Sequence, residues 1–344
     1  MSSYLTDHGY LDGIVRGYYT QLMNSSDYAN LTQCETVDDM KVHLLNSDYG
    51  TVFQDVPSPL TAQSVADACT AKMVEEFHYI RSNAYEPLTK FMDYITYGYM
   101  IDNIILILGE TTRDGDPQTA LAKCHPLGVF EGLTALCVAQ STEELYNLAL
   151  INTPLSKYFI SCLTVEDFDE VHIEVIRNLL YKEYLTDFYK YSKTLGDDTF
   201  EVMGELLRFE ADRRSINITV NSWGTTLNKD ERKRLYPSLG ELWPEGTQRL
   251  QAADDMEAVA AAVDHVDEYR GMLQNLQENP SRTLEDEFIE HEMKLNRLAV
   301  QRQMQYGAFY AYFRLKEQEI RNIVWIAECI AQKKKDRIQQ FVMF

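Results

Sequence analysis

The chain has 344 residues, 45% hydrophobic and 25% charged, which is typical of a soluble globular protein with room for two or three domains. Its 53 acidic residues outnumber its 32 basic ones and give a net charge of −21. Such an acidic chain is a poor general binder of nucleic acid or anionic lipid. No apolar run reaches the roughly 20 residues of a membrane-spanning helix, and residues 1–20 lack a signal peptide. We therefore expect a cytosolic protein, or one peripheral to the cytosolic side of a membrane.

Apolar residues recur with the period of an amphipathic helix along nearly every long segment, and alternating β-branched runs are nearly absent. We predict an all-α protein. In chain order, the clearest helices cover 65–81, 173–189, 285–312 and 315–342. Proline, glycine and aspartate clusters that end helices lie at 57–59, 113–117, 126–128, 196–198, 237–240 and 279–281.

Two short patterns each occur three times. The first is an Asn-Ile pair, at Asn103, Asn217 and Asn322. The second is an N-cap residue followed three positions later by an acid, starting at Thr36, Ser141 and Asp254. A cap follows the first Asn-Ile pair by 38 residues and the second by 37, whereas the third pair has no cap after it and the first cap has no pair before it.

This arrangement predicts three similar helical units around a pseudo-threefold axis with a central cavity. The N-terminal segment, 1–56, would complete the third unit, whose first half is 281–344. The first and second units would cover 60–165 and 166–280. Chance recurrence of short patterns in a helical protein is the alternative.

Six cysteines are widely separated and form no CxxC pair, so in the cytosol we expect them to be thiols. Cys34 and Cys329 belong to the same predicted unit and could be neighbours. Acidic residues before the Asn-Ile pairs, Glu76, Asp212, Glu292 and Glu317, could form salt bridges between helices, although solvated surface charge explains each of them equally well.

Recognised catalytic and metal-binding patterns are missing. His291-Glu292 begins a zinc-protease motif, but Leu295 stands where the second histidine is needed. There is no phosphate-binding loop, dinucleotide fingerprint or nucleophile elbow. We expect no catalytic residue, cofactor or metal. A non-enzymatic helical scaffold and a helical enzyme with an unrecognised site both remain open on these grounds.

Five stretches of the sequence resemble a known family. They read FMDYITYGYMIDN at 91–103, FEADRRSIN at 209–217, KEQEIRNIVWIAECIAQ at 316–332, NLTQCET at 30–36 and CHPLG at 124–128. Together they closely resemble subunit d of the eukaryotic V-type proton ATPase, which is related to the C-type subunit of the archaeal and bacterial-type enzymes. Residues 152–159 and 221–233 depart from the family pattern, and we interpret both as surface variation.

The resemblance implies a funnel-shaped, all-helical, non-catalytic rotor subunit. Such a subunit caps the proteolipid c-ring, receives the central stalk subunits of the D and F type, and lies near the N-terminal domain of the a-type subunit. It couples ATP hydrolysis to proton transport without binding nucleic acid or spanning the membrane. The resemblance also implies the cytosolic face of acidic organelles, such as the vacuole, lysosome or endosome.

Two groups of residues are our candidates for contacts that transmit torque. The first lies on one stripe of the C-terminal helix and comprises Glu317, Arg321, Trp325 and Glu328, with Cys329 beside them. The alternative is that Trp325 and Cys329 are core residues and the charges face water. The second group comes from the family-like stretches and comprises Phe91, His125 and Glu210.

Overall fold

The computed structural model describes residues 2–113, 115–139, 141–164 and 172–340, and within these ranges it contains helices and no strand. This part of the chain is all-α, as predicted. The helices are α1 Ser2–Thr20, α2 Ser25–Gln33, α3 Val37–Leu45, α4 Gly50–Phe53, α5 Ala62–Asn83, α6 Leu88–Thr112, α7 Pro117–Lys123, α8 Leu133–Leu136, α9 Thr142–Asn152, α10 Ser156–Cys162, α11 Ile173–Lys193, α12 Asp197–Ser222, α13 Lys229–Leu235, α14 Glu245–Ala252, α15 Met256–Val263, α16 Asp267–Glu278, α17 Leu284–Gln301 and α18 Gly307–Ala331. Short 3-10 turns lie at Pro126–Gly128 and Lys335–Gln340.

The chain divides into two compact units. Unit 1 combines Met1–Thr89 with Leu276–Phe344, so it contains both ends of the chain, and unit 2 is Lys90–Asn275. In unit 1 the C-terminal helix α18 packs against α1, α2, α3, α5 and α17. The boundaries of the four predicted segments stay a prediction, and the one at 165 lies outside the described residues.

Unit 1 is built around α18. Its buried side chains follow helical spacing and include five that are almost fully inaccessible to solvent: Phe309, Tyr312, Phe313, Ile323 and Ile326. Each such side chain contributes about 1.5–3 kcal/mol by leaving water. This helix therefore organises a core to which segments from both ends of the chain contribute.

Unit 2 is built around α11 and α12, which pack against each other. The helix predicted at 173–189 is confirmed as α11, and its inner face carries a stack of aromatic rings. Tyr94 lies between Phe188 and Tyr191, with ring centroids 5.0 and 4.7 Å away and nearly parallel planes. Aromatic pairs at this separation add about 0.5–1.5 kcal/mol each beyond the area they bury.

Two of the three predicted N-caps are confirmed. The side chains of Thr36 and Ser141 accept the backbone N–H three residues ahead, at 3.2 and 3.1 Å. The third prediction was wrong by one residue, because Asp255, not Asp254, accepts the backbone N–H of Ala258 at 2.8 Å. With this correction, 38 residues separate each of the first two Asn-Ile pairs from the next cap.

A break at 302–306 corrects the predicted helix over 285–312. The side-chain amide of Gln305 donates to the carbonyls of Ala299 and Arg302 at 2.9 and 3.1 Å. These bonds satisfy carbonyl groups at the end of α17 that have no partner within the helix. A side chain, rather than a proline, therefore ends this helix.

The C-terminal helix begins earlier and ends earlier than the predicted 315–342. Lys333 adopts a left-handed conformation with φ 57°, and the backbone N–H of Lys334 donates to the carbonyl of Cys329 at 2.8 Å. This is a Schellman motif, which normally uses glycine at the left-handed position. Residues 341–344 lie outside the described part of the chain.

Candidate functional site

The predicted stripe on α18 combines exposed and buried side chains. Glu317 bonds to the guanidinium of Arg321 at 3.0 Å, and the Arg321 side chain is 51% exposed. Glu328 is exposed, Trp325 is half-buried and Cys329 is buried. The stripe can therefore offer charge and part of an indole ring to a partner, whereas Cys329 belongs to the core of unit 1.

All six cysteines are thiols in the structure, and Cys34 is buried, as is Cys329.

The second group lies in unit 2, and its members have different surroundings. Phe91 is fully buried and packs edge-on against Phe188, with centroids 5.4 Å apart, so it is a core residue. The His125 ring stacks on Tyr99 at 4.2 Å, and its Nδ1 accepts the backbone N–H of Leu127 at 3.1 Å. His125 therefore shapes the turn at Pro126–Gly128.

Glu210 begins a chain of polar contacts that joins three helices of unit 2. It bonds to the guanidinium of Arg214 at 2.9 Å, and that guanidinium lies 3.4 Å from the centre of the Tyr181 ring. The Tyr181 hydroxyl donates to Asp102 at 2.9 Å and to the carbonyl of Gly98 at 3.1 Å. α12, α11 and α6 are thereby linked.

The largest departure from the sequence analysis is a buried charge cluster in unit 1, centred on Lys316. Its ammonium group is fully buried and lies 3.0 Å from Asp48, 3.5 Å from Glu319 and 4.1 Å from the centre of the Tyr49 ring. The Tyr49 hydroxyl donates to Glu319 at 2.7 Å. Buried charges are tolerated only when they are paired and hydrogen-bonded, as they are in this cluster.

Two residues of α5 complete this Lys316 cluster. Lys72 lies 3.8 Å from both Asp48 and Glu76, and the Tyr312 hydroxyl donates to Glu76 at 2.5 Å. The cluster therefore links α5, α18 and the residues that precede α4.

Burial shifts the acid–base equilibria of the Lys316 cluster. Desolvation raises the pKa of Glu76 to about 7, against the opposing effect of Lys316 and the Tyr312 hydrogen bond. Burial also raises the pKa of Glu319. Desolvation alone would lower the pKa of Lys316, but the surrounding carboxylates outweigh it and the pKa is raised. Lys316 therefore favours its charged form, whereas Glu76 titrates closer to neutral pH than an exposed glutamate does.

In unit 2, two long helices each use one buried polar side chain to hold the loop that comes after the next short helix. On α6, Asn103 accepts the backbone N–H of His125 at 2.8 Å and donates to its carbonyl at 2.9 Å. On α12, Asp212 accepts the backbone N–H groups of Glu241 and Leu242 at 2.9 and 3.1 Å. We call this contact a clasp.

A third clasp lies in unit 1 and joins the C-terminal helix to a loop near the N-terminus. On α18, Glu319 accepts the backbone N–H of Met23 at 2.5 Å. The loop that it holds connects α1 to α2, near the N-terminus, so a helix from the end of the sequence holds a loop from its beginning.

The predicted salt bridges have mixed outcomes. Glu292 on α17 does bond to Arg314 on α18, at 2.6 Å. Asp212 instead accepts backbone groups and the Tyr269 hydroxyl at 2.7 Å, and desolvation raises its pKa to about 6.

Lys316 is absent from the predicted contact residues, although its position in the sequence carries a signal. It lies four residues after Tyr312 and seven before Ile323, on the apolar stripe that α18 buries. A lysine at such a position needs anionic partners, but the sequence does not show which segments supply them.

Within the described ranges, no helix is long and apolar enough to cross a membrane. The same residues contain no group of three or more histidine, cysteine, aspartate or glutamate side chains arranged to hold a metal ion.

Comparison with known proteins places the chain in a family. The family model described as ATP synthase (C/AC39) subunit matches residues 11–341. V-type proton ATPase subunit d of Dictyostelium discoideum is 49% identical over 337 residues, which is 98% of this chain and 94% of that protein. Subunit d of Neurospora crassa is 48% identical over 98% of this chain and 97% of its own length.

Similarity extends to more distant relatives. V-type proton ATPase subunit d of Saccharomyces cerevisiae is 44% identical over 98% of this chain and 97% of its own length. Family model and relatives alike span nearly the whole sequence, so this chain belongs to the ATP synthase (C/AC39) subunit family, in its branch of V-type proton ATPase d subunits.

Proposed function

We propose that this chain is a non-catalytic rotor subunit of a V-type proton ATPase, which caps the proteolipid c-ring and couples it to the central stalk. ATP hydrolysis elsewhere in the complex would turn the stalk, and the chain would pass that rotation to the ring that moves protons. The observation that carries the proposal is identity of 44–49% to subunit d proteins of Saccharomyces, Neurospora and Dictyostelium over 98% of the chain.

The interior of the molecule suits a part that carries torque. In unit 1 the Lys316 cluster fastens α5, α18 and the residues before α4 with short hydrogen bonds and ion pairs. In unit 2 the Glu210 chain joins α12, α11 and α6. Close-packed interiors with such ties have low compressibility and transmit strain.

A funnel of three similar units would give this adaptor an axis and a central cavity. The three clasps support the idea, because a long helix holds the backbone of a loop in each of the three predicted units. In the third clasp the loop comes from the N-terminal segment, as expected if that segment completes the last unit.

The partners in this proposal are the c-ring, stalk subunits of the D and F type, and the N-terminal domain of the a-type subunit. The location is the cytosolic face of an acidic organelle, with the chain peripheral to the membrane. We expect no nucleic acid, cofactor or metal to take part.

Replacing Trp325 or Glu328 on α18 with alanine tests the coupling role. Both side chains reach the surface in part, so either variant should leave the complex assembled. We expect proton transport to fall about two- to thirtyfold relative to ATP hydrolysis, the range that corresponds to residues that modulate coupling. Acidification and phosphate release would be measured on the same vesicles.

The matched control is Glu75→Ala, which removes an exposed carboxylate from α5 in the same unit. It should leave the ratio of transport to hydrolysis unchanged. Equal losses of transport and hydrolysis in the Trp325 and Glu328 variants would contradict the assignment of this stripe to coupling.

A further inference from the structure

Trp243 is a large aromatic side chain on the surface of unit 2, at the end of the loop 236–244. Its side chain is 48% exposed. Most large apolar residues of this loop point inward: Tyr236 is 4% exposed, Leu239 is 9% exposed and Leu242 is fully buried. The loop therefore buries Tyr236, Leu239 and Leu242 and leaves the tryptophan accessible.

The loop around Trp243 is held firmly by the clasp on Asp212. The carboxylate accepts two consecutive backbone N–H groups, of Glu241 and Leu242, immediately before the tryptophan. Gly240 has φ 109°, and a Cβ atom there would lie 2.1 Å from an Asp212 oxygen, so only glycine allows this approach. The backbone that carries Trp243 is thus fixed before any partner arrives.

Acidic side chains flank the exposed ring. The Glu241 side chain is 59% exposed although it lies 3.1 Å from Arg208, and Glu245 is exposed at the start of α14. An exposed aromatic residue between carboxylates is complementary to a partner surface in which an apolar residue lies beside positive charge.

The other clasped loop of unit 2 repeats the arrangement on a smaller scale. Asn103 holds the backbone of His125, and a Cβ atom on Gly128 would lie 2.4 Å from the carbonyl oxygen of Tyr99. The next residue, Val129, is 56% exposed. Both clasps thus bring a glycine against a helix and leave an apolar side chain exposed shortly after it.

We propose that the loop 236–244 is a docking element whose anchor is Trp243, and that its occupant is a segment of a neighbouring protein with an apolar residue flanked by lysine or arginine. A fixed loop loses little conformational freedom on binding, which favours affinity. Tryptophan is also among the residues that contribute most when buried at an interface. The inference rests on the proposed function, which makes that neighbour another subunit of the ATPase.

The experiment is a competition inside cells. Wild-type chain and a Trp243→Ala variant would be expressed at equal levels, the ATPase purified through a different subunit, and the ratio of the two chains in the complex measured by mass spectrometry. We expect the variant to be incorporated about tenfold less often than the wild type. Trp243→Phe, which keeps an aromatic ring, should recover most of the loss.

Ile151→Ala is the matched control, because Ile151 is 79% exposed on α9 in the same unit. It should compete equally with the wild type. The purified variants should unfold at the wild-type temperature to within about 2 °C, since the tryptophan is half exposed. A double variant, Glu241→Gln with Glu245→Gln, tests the charge and should also be incorporated less often.

Equal incorporation of Trp243→Ala and wild type would overturn the inference while leaving the proposed function intact. Equal incorporation of the double glutamine variant would overturn the basic character of the partner. Absence of the wild-type chain from the purified ATPase is a different result, because it would overturn the proposed function itself.

Discussion

The two units of this protein hold their helices together by different chemistry. In unit 1 the centre is a buried ion cluster in which Lys316 contacts Asp48 and Glu319. In unit 2 the centre is a stack of rings in which Tyr94 lies between Phe188 and Tyr191. Unit 2 also contains the Glu210 chain and the buried Asp212, so the comparison concerns these two centres alone.

The contrast teaches where each unit should be sensitive. A buried ion pair stabilises a fold only while every partner is present, because a charge left alone in the interior is strongly unfavourable. Stacked rings have no such requirement and do not titrate near neutral pH. The stability of unit 1 should therefore fall when one charge is removed and should change with pH. The contribution of the ring stack to the stability of unit 2 should do neither.

The largest expected effect is that of Lys316→Met. The substitution keeps the volume of the side chain but leaves buried Glu319 without its cation and Asp48 with only Lys72, 3.8 Å away. We expect a loss of about 3–5 kcal/mol in the free energy of unfolding, measured by chemical denaturation. Lys157→Met in unit 2 is the comparison, because Lys157 pairs with Asp187 at 2.5 Å but its side chain is 54% exposed.

The exposed pair at Lys157 should contribute only about 0–1 kcal/mol. A similar loss of unfolding free energy for both lysine variants would contradict the view that unit 1 depends more strongly on a buried charge than unit 2 does.

The second prediction concerns pH. Burial raises the pKa of Glu76 from 4.5 to about 7, so the folded chain binds this proton more tightly than the unfolded chain. Stability from this group is full below pH 4.5 and is lost as the pH rises to about 7, by about 3 kcal/mol in all. Glu76→Gln should reduce the change in unfolding free energy between pH 6 and 7.5.

Asp212 in unit 2 provides the control for this pH dependence. Its pKa is raised only to about 6, so across pH 6 to 7.5 it holds less of its proton than Glu76 does. Asp212→Asn should therefore reduce the pH dependence of the unfolding free energy in this range less than Glu76→Gln does. If Asp212→Asn reduces that pH dependence and Glu76→Gln does not, the assignment of the titration to unit 1 is wrong.

The smallest effects are expected at helix ends, where the two units should behave alike. Thr36→Ala in unit 1 and Asp255→Ala in unit 2 each remove a side chain that accepts a backbone N–H at the start of a helix. Each should cost about 1 kcal/mol of unfolding free energy. Asp254→Ala, next to the second cap, should cost less than either cap variant because its carboxylate is 66% exposed.

Much of the helical architecture could be predicted from the sequence, because apolar spacing and N-cap residues act locally. The periodicity over 173–189 and the caps at Thr36 and Ser141 are examples that the structure confirms. The break at 302–306 could not be predicted in this way, because the side chain of Gln305 ends the helix there. Residues 302–306 contain no proline or glycine that would have predicted the end of the helix.

The site was less predictable than the fold, since it depends on contacts between distant parts of the chain. Glu317 and Arg321 could be placed together because they lie one helical turn apart. Glu319 lies one helical turn after Lys316, but Asp48 lies 268 residues away, and no local pattern joins Asp48 to the lysine. Phe91 was expected at a contact surface but is buried, because resemblance to a family motif does not distinguish core residues from surface ones.

The most direct test of the proposed role is an electron cryo-microscopy reconstruction of the intact ATPase that contains this chain, sorted into rotational states. The account predicts that the chain lies between the central stalk and the proteolipid ring and turns with both of them from state to state. A chain that keeps its orientation with the stationary parts while the ring turns would contradict the proposed function.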